Sequence, residues 1–287
     1  MAITRFATNE LARISYEIDG PDTDDVVVML HTTLADRRSF GPLREAIAER
    51  YRVLLLDARG HGASAALKDR AYAVTDMAND GFTVLEAEGI IHAAQARVHL
   101  VGHGQGAITA LELARRRPDV VHSLTLIEPD ALTMLDGEDD TDAILAREEA
   151  RNTYRTAADA AYKGLADKAL ALYLDARWGE GWSERLSRPA AAAVRRNLLA
   201  LSPSLDALDR YRILPEEVRQ VLTPTRVVAA ATSPATVRAI TQRLGSWLPR
   251  GRAVYVAKLP GGAPFTDEGE AAINLIEEWL IEQSVQA

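Results

Sequence analysis

Short apolar runs rich in β-branched residues alternate along this chain with longer segments of helical periodicity. Residues 25–30 and 52–56 are almost continuously apolar, which is typical of strands buried on both faces. The pattern predicts strands at 11–18, 25–30, 52–56, 97–101, 122–127, 225–231 and 252–257, and helices at about 40–50, 73–90, 105–116, 235–248 and 267–284. Strand–helix alternation of this kind predicts an α/β fold, in which helices cover both faces of a parallel sheet.

The alternation stops between residues 131 and 220, a stretch rich in Ala, Leu, Arg and Glu with no strand pattern. It opens with an acidic loop, which we interpret as a solvated connection and not as a metal site: Asp136, Glu138, Asp139, Asp140 and Asp142. An all-helical insertion between two strands predicts a cap over the sheet. We therefore expect a core of residues 1–130 and 221–287 and a helical cap of residues 131–220.

Composition limits the partners that this chain can have. A formal net charge of -8 argues against nucleic-acid binding, which requires clustered Lys and Arg. The chain has no cysteine, which excludes disulfides, thiolate nucleophiles and thiolate metal ligands. No stretch approaches the ~18 apolar residues of a membrane span, and the first residues lack the apolar segment of a secretion signal. We expect a cytoplasmic protein, of bacterial origin by its Arg and Ala usage, that contacts no membrane and holds neither metal nor cofactor.

Three motifs follow three of the predicted strands in order: His-Thr-Thr-Leu at 31–34, Asp-Ala-Arg-Gly-His-Gly-Ala-Ser at 57–64, and Gly-His-Gly-Gln-Gly at 102–106. The order and spacing resemble the α/β-hydrolase superfamily, in the branch that carries a helical cap. In that family the motifs correspond to the oxyanion loop, an Asp-x-Arg-Gly-x-Gly-x-Ser turn, and the nucleophile elbow Gly-x-Ser-x-Gly. The resemblance covers nearly the whole chain and implies a mostly parallel, doubly wound sheet.

The catalytic positions implied by this resemblance carry the wrong residues. Gly104 stands at the nucleophile's position and has no side chain with which to form an acyl-enzyme. The family's acid falls at or near Ser233, and its histidine falls at Pro264. That histidine comes last in the family's chain order, yet no histidine follows His122 in this chain. The resemblance therefore implies a protein in which the Ser-His-acid mechanism is absent.

Other residues of the implied site keep possible roles. Some relatives carry their acid after the strand that precedes the cap, where this chain has Glu128 and Asp130. Either could have a chemical role, but the favoured interpretation is a strand-end cap or a hydrogen-bond acceptor. The family's oxyanion donors are backbone N–H groups, here those of Gln105 and of Thr33 or Leu34. A helix that begins near Gln105 would add the positive end of its dipole. Thr32 stands where this family usually has glycine.

Three hypotheses for function remain open. The first is a non-hydrolytic enzyme that binds an oxyanion and promotes isomerisation, elimination, decarboxylation or cyclisation, with His31 and His103 as candidate proton carriers. The second is a non-catalytic pseudo-hydrolase that holds a ligand or supports a partner. The third is a weak hydrolase that uses a water molecule in the space left by Gly104.

We expect a pocket between the cap and the elbow that binds a small organic molecule, with a carbonyl-like oxygen near Gly104. Trp178 and Trp182 could line the roof of that pocket or be ordinary packing residues. Because relatives with a cap are often dimers, the resemblance also implies a possible homodimer.

Overall fold

Nine strands form one sheet, flanked by helices, in a computed structural model that describes residues 3–66, 72–137, 139–179, 181, 186, 188–257 and 270–285. The strands are β1 (Ile3–Thr8), β2 (Ala12–Asp19), β3 (Asp25–Leu30), β4 (Arg52–Leu56), β5 (Ala65–Ala66), β6 (Arg97–His103), β7 (Val121–Ile127), β8 (Thr225–Ala230) and β9 (Gly251–Val256). Their order is β1-β2-β4-β3-β6-β7-β8-β9, with β5 paired to β2. The pairs from β4 to β9 are parallel, whereas β2 runs antiparallel to β1, β4 and β5. The predicted fold class is confirmed.

The helices among the described residues are α1 (Gly41–Ile47), α2 (Val74–Ala87), α3 (Gln105–Arg116), α4 (Thr141–Tyr162), α5 (Ala166–Trp178), α6 (Arg188–Arg196), α7 (Leu201–Arg210), α8 (Pro215–Val218), α9 (Ala235–Trp247) and α10 (Glu270–Val285). None of them combines the length and the apolar composition needed to cross a membrane.

Both faces of the central strands are buried, as the continuous apolar runs predict. In β3, Val26 and Val28 pack into one apolar core with α2, α3 and α9, whereas Val27 and Met29 pack into a second core with α1 and α10. Successive side chains of a strand point to opposite faces, so a strand between two helical layers needs apolar residues at every position.

Two strands were missed by the sequence pattern. β1 is an edge strand in which five of six residues are exposed, and β5 has only two residues, both exposed. β1 contributes only Ala7 to an apolar core and β5 contributes no residue, so neither carries the periodicity from which a strand is recognised.

A helical insertion, which comprises α4 to α8, separates β7 from β8. It has its own apolar core, to which Leu34 of the loop after β3 contributes. Asn197, just after α6, joins this insertion to the sheet: its amide nitrogen donates to the carbonyl oxygens of Leu34 (3.0 Å) and Ala35 (2.7 Å), and its amide oxygen accepts from Gly62 N–H (3.0 Å). The insertion therefore packs directly over the loop that follows β3.

Candidate functional site

The turn between β6 and α3 has the sharp strand-to-helix geometry of a nucleophile elbow. Gly104 lies in the turn with φ 55° and ψ -116°, a backbone conformation that favours glycine. Its N–H donates to Ile127 of β7 at 2.9 Å, which ties the turn to the neighbouring strand. A Cβ atom on Gly106 would lie 2.0 Å from the carbonyl oxygen of Leu30, so the helix can pack this closely on β3 only with glycine there.

The side chain of Thr32 fills the place where a nucleophile's side chain would begin. A Cβ atom on Gly104 would lie 2.1 Å from Thr32 Oγ1 and 2.9 Å from Thr32 Cβ. Thr32 is 1% exposed, and its Oγ1 has no hydrogen-bond partner within the described residues. The threonine that replaces the family's usual glycine therefore occupies the position of a Cβ atom on residue 104. The hypothesis of a water molecule in the space left by Gly104 stays a prediction.

The candidate oxyanion donors differ in their availability. Leu34 N–H donates to His61 Nε2 at 3.2 Å. The other ring nitrogen of His61, Nδ1, donates to the carbonyl oxygen of Arg59 at 3.0 Å, so Nε2 is the acceptor. The N–H of Leu34 is therefore not free to act as an oxyanion donor, because it already donates a hydrogen bond to His61. His61 was missed by the sequence analysis because its partner is distant in the chain.

Thr33 and Gln105 remain as the pair of candidate donors. The hydroxyl of Thr33 donates to the side-chain carbonyl of Gln105 at 2.9 Å, which fastens the loop after β3 to the start of α3. Gln105 is the first residue of that helix, and the N–H groups of a first helical turn have no partner within the helix. An oxyanion site at the backbone N–H groups of these two residues stays a prediction.

His31 serves as a structural residue of the loop. Its Nδ1 donates to the carbonyl oxygen of Thr32 at 2.8 Å, and its Nε2 accepts from Ala58 N–H at 2.9 Å. Burial lowers the pKa of His31. Because both ring nitrogens are bound to the backbone and the neutral form is favoured, the geometry does not support His31 as a proton carrier.

His103, Glu128 and Ser233 lie together behind the turn. His103 Nε2 is 3.7 Å from Glu128 Oε2, which is too long for a hydrogen bond, and it has no other partner within the described residues. Glu128 Oε1 accepts a hydrogen bond from Ser233 Oγ. Burial lowers the pKa of His103, so that its ring is neutral near pH 7. Burial alone would raise the pKa of Glu128, but the positive charge of Arg177 and the hydrogen bond from Ser233 oppose it, and that pKa lies below its ordinary value.

Arg177 of α5 brings a fully buried positive charge to these carboxylates. Its Nη2 donates to the carbonyl oxygen of Glu128 at 3.1 Å, and its Nε lies 3.5 Å from Asp130 Oδ2. Burial raises the pKa of Asp130, although Arg177 opposes this shift. Arg177 could not be recognised from the sequence, because its neighbouring residues do not distinguish it from the many exposed arginines of the insertion.

A cavity of about 730 Å³ lies between α4 and α7 and is open to solvent. Its lining residues are Asp130, Leu132, Arg151, Tyr154, Arg155, Ala158, Ala161, Tyr162, Leu198, Leu199, Ser202, Pro203, Leu205, Asp206, Leu208 and Asp209. We call it the insertion cavity. Asp130 links it to the buried charges, since it both lines the cavity and faces Arg177.

Three aromatic rings of α4 and α5, those of Tyr154, Tyr173 and Trp178, pack against one another beside this cavity. The ring of Trp178 packs edge-on against Tyr173 at 6.4 Å, and Tyr173 lies 5.5 Å from Tyr154, which lines the cavity. Trp182 and Pro264 lie outside the described residues, so the structure says nothing of them. No cluster of three or more His, Asp or Glu residues in the described part of the chain is arranged to hold a metal ion.

Comparison with known proteins gives the class to which this fold and site belong. The sequence profile of the α/β hydrolase fold family matches residues 25–265. The chain therefore belongs to the α/β-hydrolase family, and the resemblance drawn from its three motifs is confirmed.

Relatives with similar sequence match only part of the chain. One is RutD of Variovorax paradoxus (strain S110), provisionally named a carbamate hydrolase, which is 39% identical over 116 residues. Another is the sn-1-specific diacylglycerol lipase ABHD11 of Mus musculus, 36% identical over 118 residues. The aligned stretch is 40% of this chain in both cases, and it spans 41% of the first protein and 36% of the second.

Solved structures match over nearly the full length. The enol-lactonase from Burkholderia xenovorans LB400 superimposes with a TM-score of 0.72 at 19% identity, covering 96% of this chain and 100% of that protein. MGS-M2, an α/β hydrolase from a Medee basin deep-sea metagenome library, gives a TM-score of 0.76 at 17% identity, covering 99% and 98%. At this identity the likeness concerns the fold.

Proposed function

We propose that this protein binds a small organic molecule where the helical insertion meets the sheet, and that it forms no acyl-enzyme at the turn between β6 and α3. The observation that carries the proposal is the position of Thr32. Its hydroxyl oxygen lies 2.1 Å from the position that a Cβ atom of residue 104 would take. A side chain from another loop therefore occupies the place where the side chain of a nucleophile would begin. A covalent step needs an attacking atom at this place, and glycine has none.

We further propose that any chemistry at this site is non-hydrolytic and needs no cofactor. The N–H groups of Gln105 and Thr33 would hold a carbonyl or enolate oxygen, and His103 would carry the proton. Its unpartnered Nε2 and its neutral ring suit that task, while Glu128 at 3.7 Å would stabilise the charged ring. Isomerisation, elimination, decarboxylation and cyclisation fit this set of groups. The alternative is a binding protein without turnover, and the position of Thr32 next to Gly104 favours it.

A second candidate is hydrolysis by an activated water, favoured by the names of relatives such as RutD and the diacylglycerol lipase. His103 beside Glu128 would be its base. The position of that water stays a prediction, because Thr32 occupies the place of a Cβ atom on residue 104.

The division into a core of residues 1–130 and 221–287 and a cap of residues 131–220 stays a prediction, as do a homodimer and a cytoplasmic location.

Two measurements test the proposal. A fluorophosphonate probe and nitrophenyl esters should give neither labelling nor a burst, with an ordinary serine hydrolase as positive control. Covalent labelling at residues 102–106 would contradict the proposal. Native mass spectrometry of protein purified from its own host should reveal a bound small molecule. If that ligand is returned unchanged, the protein is a binding protein. If it is converted without uptake of water, the protein is a non-hydrolytic enzyme, whereas uptake of water would establish the second candidate.

A further inference from the structure

We propose that the insertion cavity binds an amphiphilic amine, with its ammonium group against Asp130 and its apolar part between α4 and α7. The inference rests on the proposed binding of a small organic molecule and names the chemical class of that molecule.

The size and walls of the insertion cavity suit a small amphiphile. Its volume of about 730 Å³ lies within the range of roughly 300–1,000 Å³ that is usual for small-molecule sites. Apolar residues cover much of its wall: Leu132, Ala158, Ala161, Leu198, Leu205 and Leu208. Contact with an aliphatic chain would remove this apolar surface from water, which is favourable.

Asp130 is the polar group that this cavity leaves unsatisfied. It is 3% exposed, and its Oδ2 has no hydrogen-bond partner within the described residues. Its nearest donors are distant, with Arg177 Nε at 3.5 Å from Oδ2 and Tyr154 Oη at 3.5 Å from Oδ1. Burial of a carboxylate without close donors is costly. A donor on a ligand in the cavity would offset that cost.

The other carboxylates of the cavity already have close partners. Asp209 pairs with Arg151 and with Arg155, each at 3.0 Å, and Asp206 pairs with Arg210 at 2.7 Å. A cationic ligand would therefore gain most at Asp130. The same pairs neutralise Arg151, Arg155 and Arg210, so an anionic ligand would gain little from these arginines.

Charge behind Asp130 favours a cation over an anion. Glu128 and Asp130 are both buried, and the one guanidinium beside them is that of Arg177, which lies 3.5 Å from the Asp130 carboxylate and donates to the main-chain carbonyl oxygen of Glu128. His103 is neutral near pH 7. The group thus holds one negative charge in excess when both carboxylates are ionised. An ammonium group neutralises that charge, whereas a ligand carboxylate would add to it. The ring of Tyr154 lines the cavity beside Asp130 and adds an aromatic face of the kind that attracts ammonium groups.

Three probes of equal chain length separate charge from apolar contact: octylamine, octan-1-ol and octanoate, each titrated calorimetrically into the intact protein. We expect octylamine to bind most tightly and octanoate most weakly. Asp130→Asn should weaken octylamine binding by about 10-fold to 100-fold, since it removes a charge-assisted hydrogen bond, and should leave octanol nearly unchanged. Asp206→Asn is the matched control, because that carboxylate lines the same cavity but is paired with Arg210, and it should have no such effect.

A second variant guards against misfolding of Asp130→Asn. Ala158→Phe fills the cavity from α4 and leaves the Asp130 carboxylate itself in place, and it should abolish octylamine binding while keeping the helical circular dichroism of the parent. The inference is overturned if octanoate binds as tightly as octylamine, if Asp130→Asn leaves octylamine binding unchanged, or if none of the probes binds. Each of these results leaves the proposed function standing, since that is judged by labelling at the turn and by the ligand recovered from the host.

Discussion

A substitution that adds one carbon at residue 104 should show that the effects of residues 104 and 32 on stability are coupled. Gly104→Ala places a Cβ atom 2.1 Å from Thr32 Oγ1, in a backbone conformation with φ 55° and ψ -116°. Side chains in such sparsely populated conformations cost about 1–3 kcal/mol. Overpacking of a filled interior costs about another 1–3 kcal/mol. We expect Gly104→Ala to lower the free energy of unfolding by the sum of these two effects.

A double-mutant cycle separates the two causes. Thr32→Gly removes the obstructing side chain, so the double variant should keep the backbone strain but lose the overpacking, with a coupling of about 1–3 kcal/mol. Gly89→Ala is the control for strain alone, since Gly89 also has a positive φ of 69° but no atom within 4 Å of the added Cβ. Urea unfolding followed by tryptophan fluorescence measures the parent, the two single variants, the double variant and the Gly89→Ala control. Additive effects, with no coupling between residues 104 and 32, would refute the close contact on which the reasoning depends.

Three further predictions concern stability. Asn197→Ala should lower the free energy of unfolding by about 1–3 kcal/mol, because it leaves buried backbone groups of the core loop unpaired; equal urea midpoints would refute this. Burial lowers the pKa of His61 to about 3. The unfolded chain therefore takes up this proton first as the pH falls below 6.5, and stability should fall by about 1.4 kcal/mol per pH unit toward pH 3; the pH dependence of unfolding should be shallower in His61→Gln. Arg59→Met breaks a buried pair with Asp80 and should cost about 3–5 kcal/mol, whereas Arg117→Met, in an exposed pair, should cost under about 1 kcal/mol in the same assay.

The secondary structure was largely predictable because its signals are local. The strands at 25–30 and 52–56 coincide with β3 and β4, and the helix at 105–116 coincides with α3. Burial on both faces requires an apolar residue at each strand position, and that requirement is visible in the chain itself. The strands that were missed are β1, which has one core residue, Ala7, and β5, which has none. Their pairing depends on the neighbouring strand β2.

The charged residues of the surface also have some partners that are predictable from local sequence and others that are not. A short basic run such as Arg115–Arg117 is usually part of a solvated surface. The structure pairs Arg115 with Glu112 and Glu217, and Arg117 with Asp119. The carboxylates at Glu112 and Asp119 are visible from helical or local spacing. Glu217 is not, because it lies 102 positions along the chain and comes from α8.

The identity of residues at the turn could be established from the chain alone. Glycine at 104 and the lack of any histidine after His122 are facts of composition and order, and they bear on covalent chemistry whatever the packing. What the folded structure alone decided is how the vacated volume is used. Thr32 fills it, His61 takes the Leu34 N–H, and Arg177 meets Asp130 beside a cavity. These contacts join segments that are far apart in the chain, and side-chain packing between distant segments leaves no periodic trace from which it could be predicted.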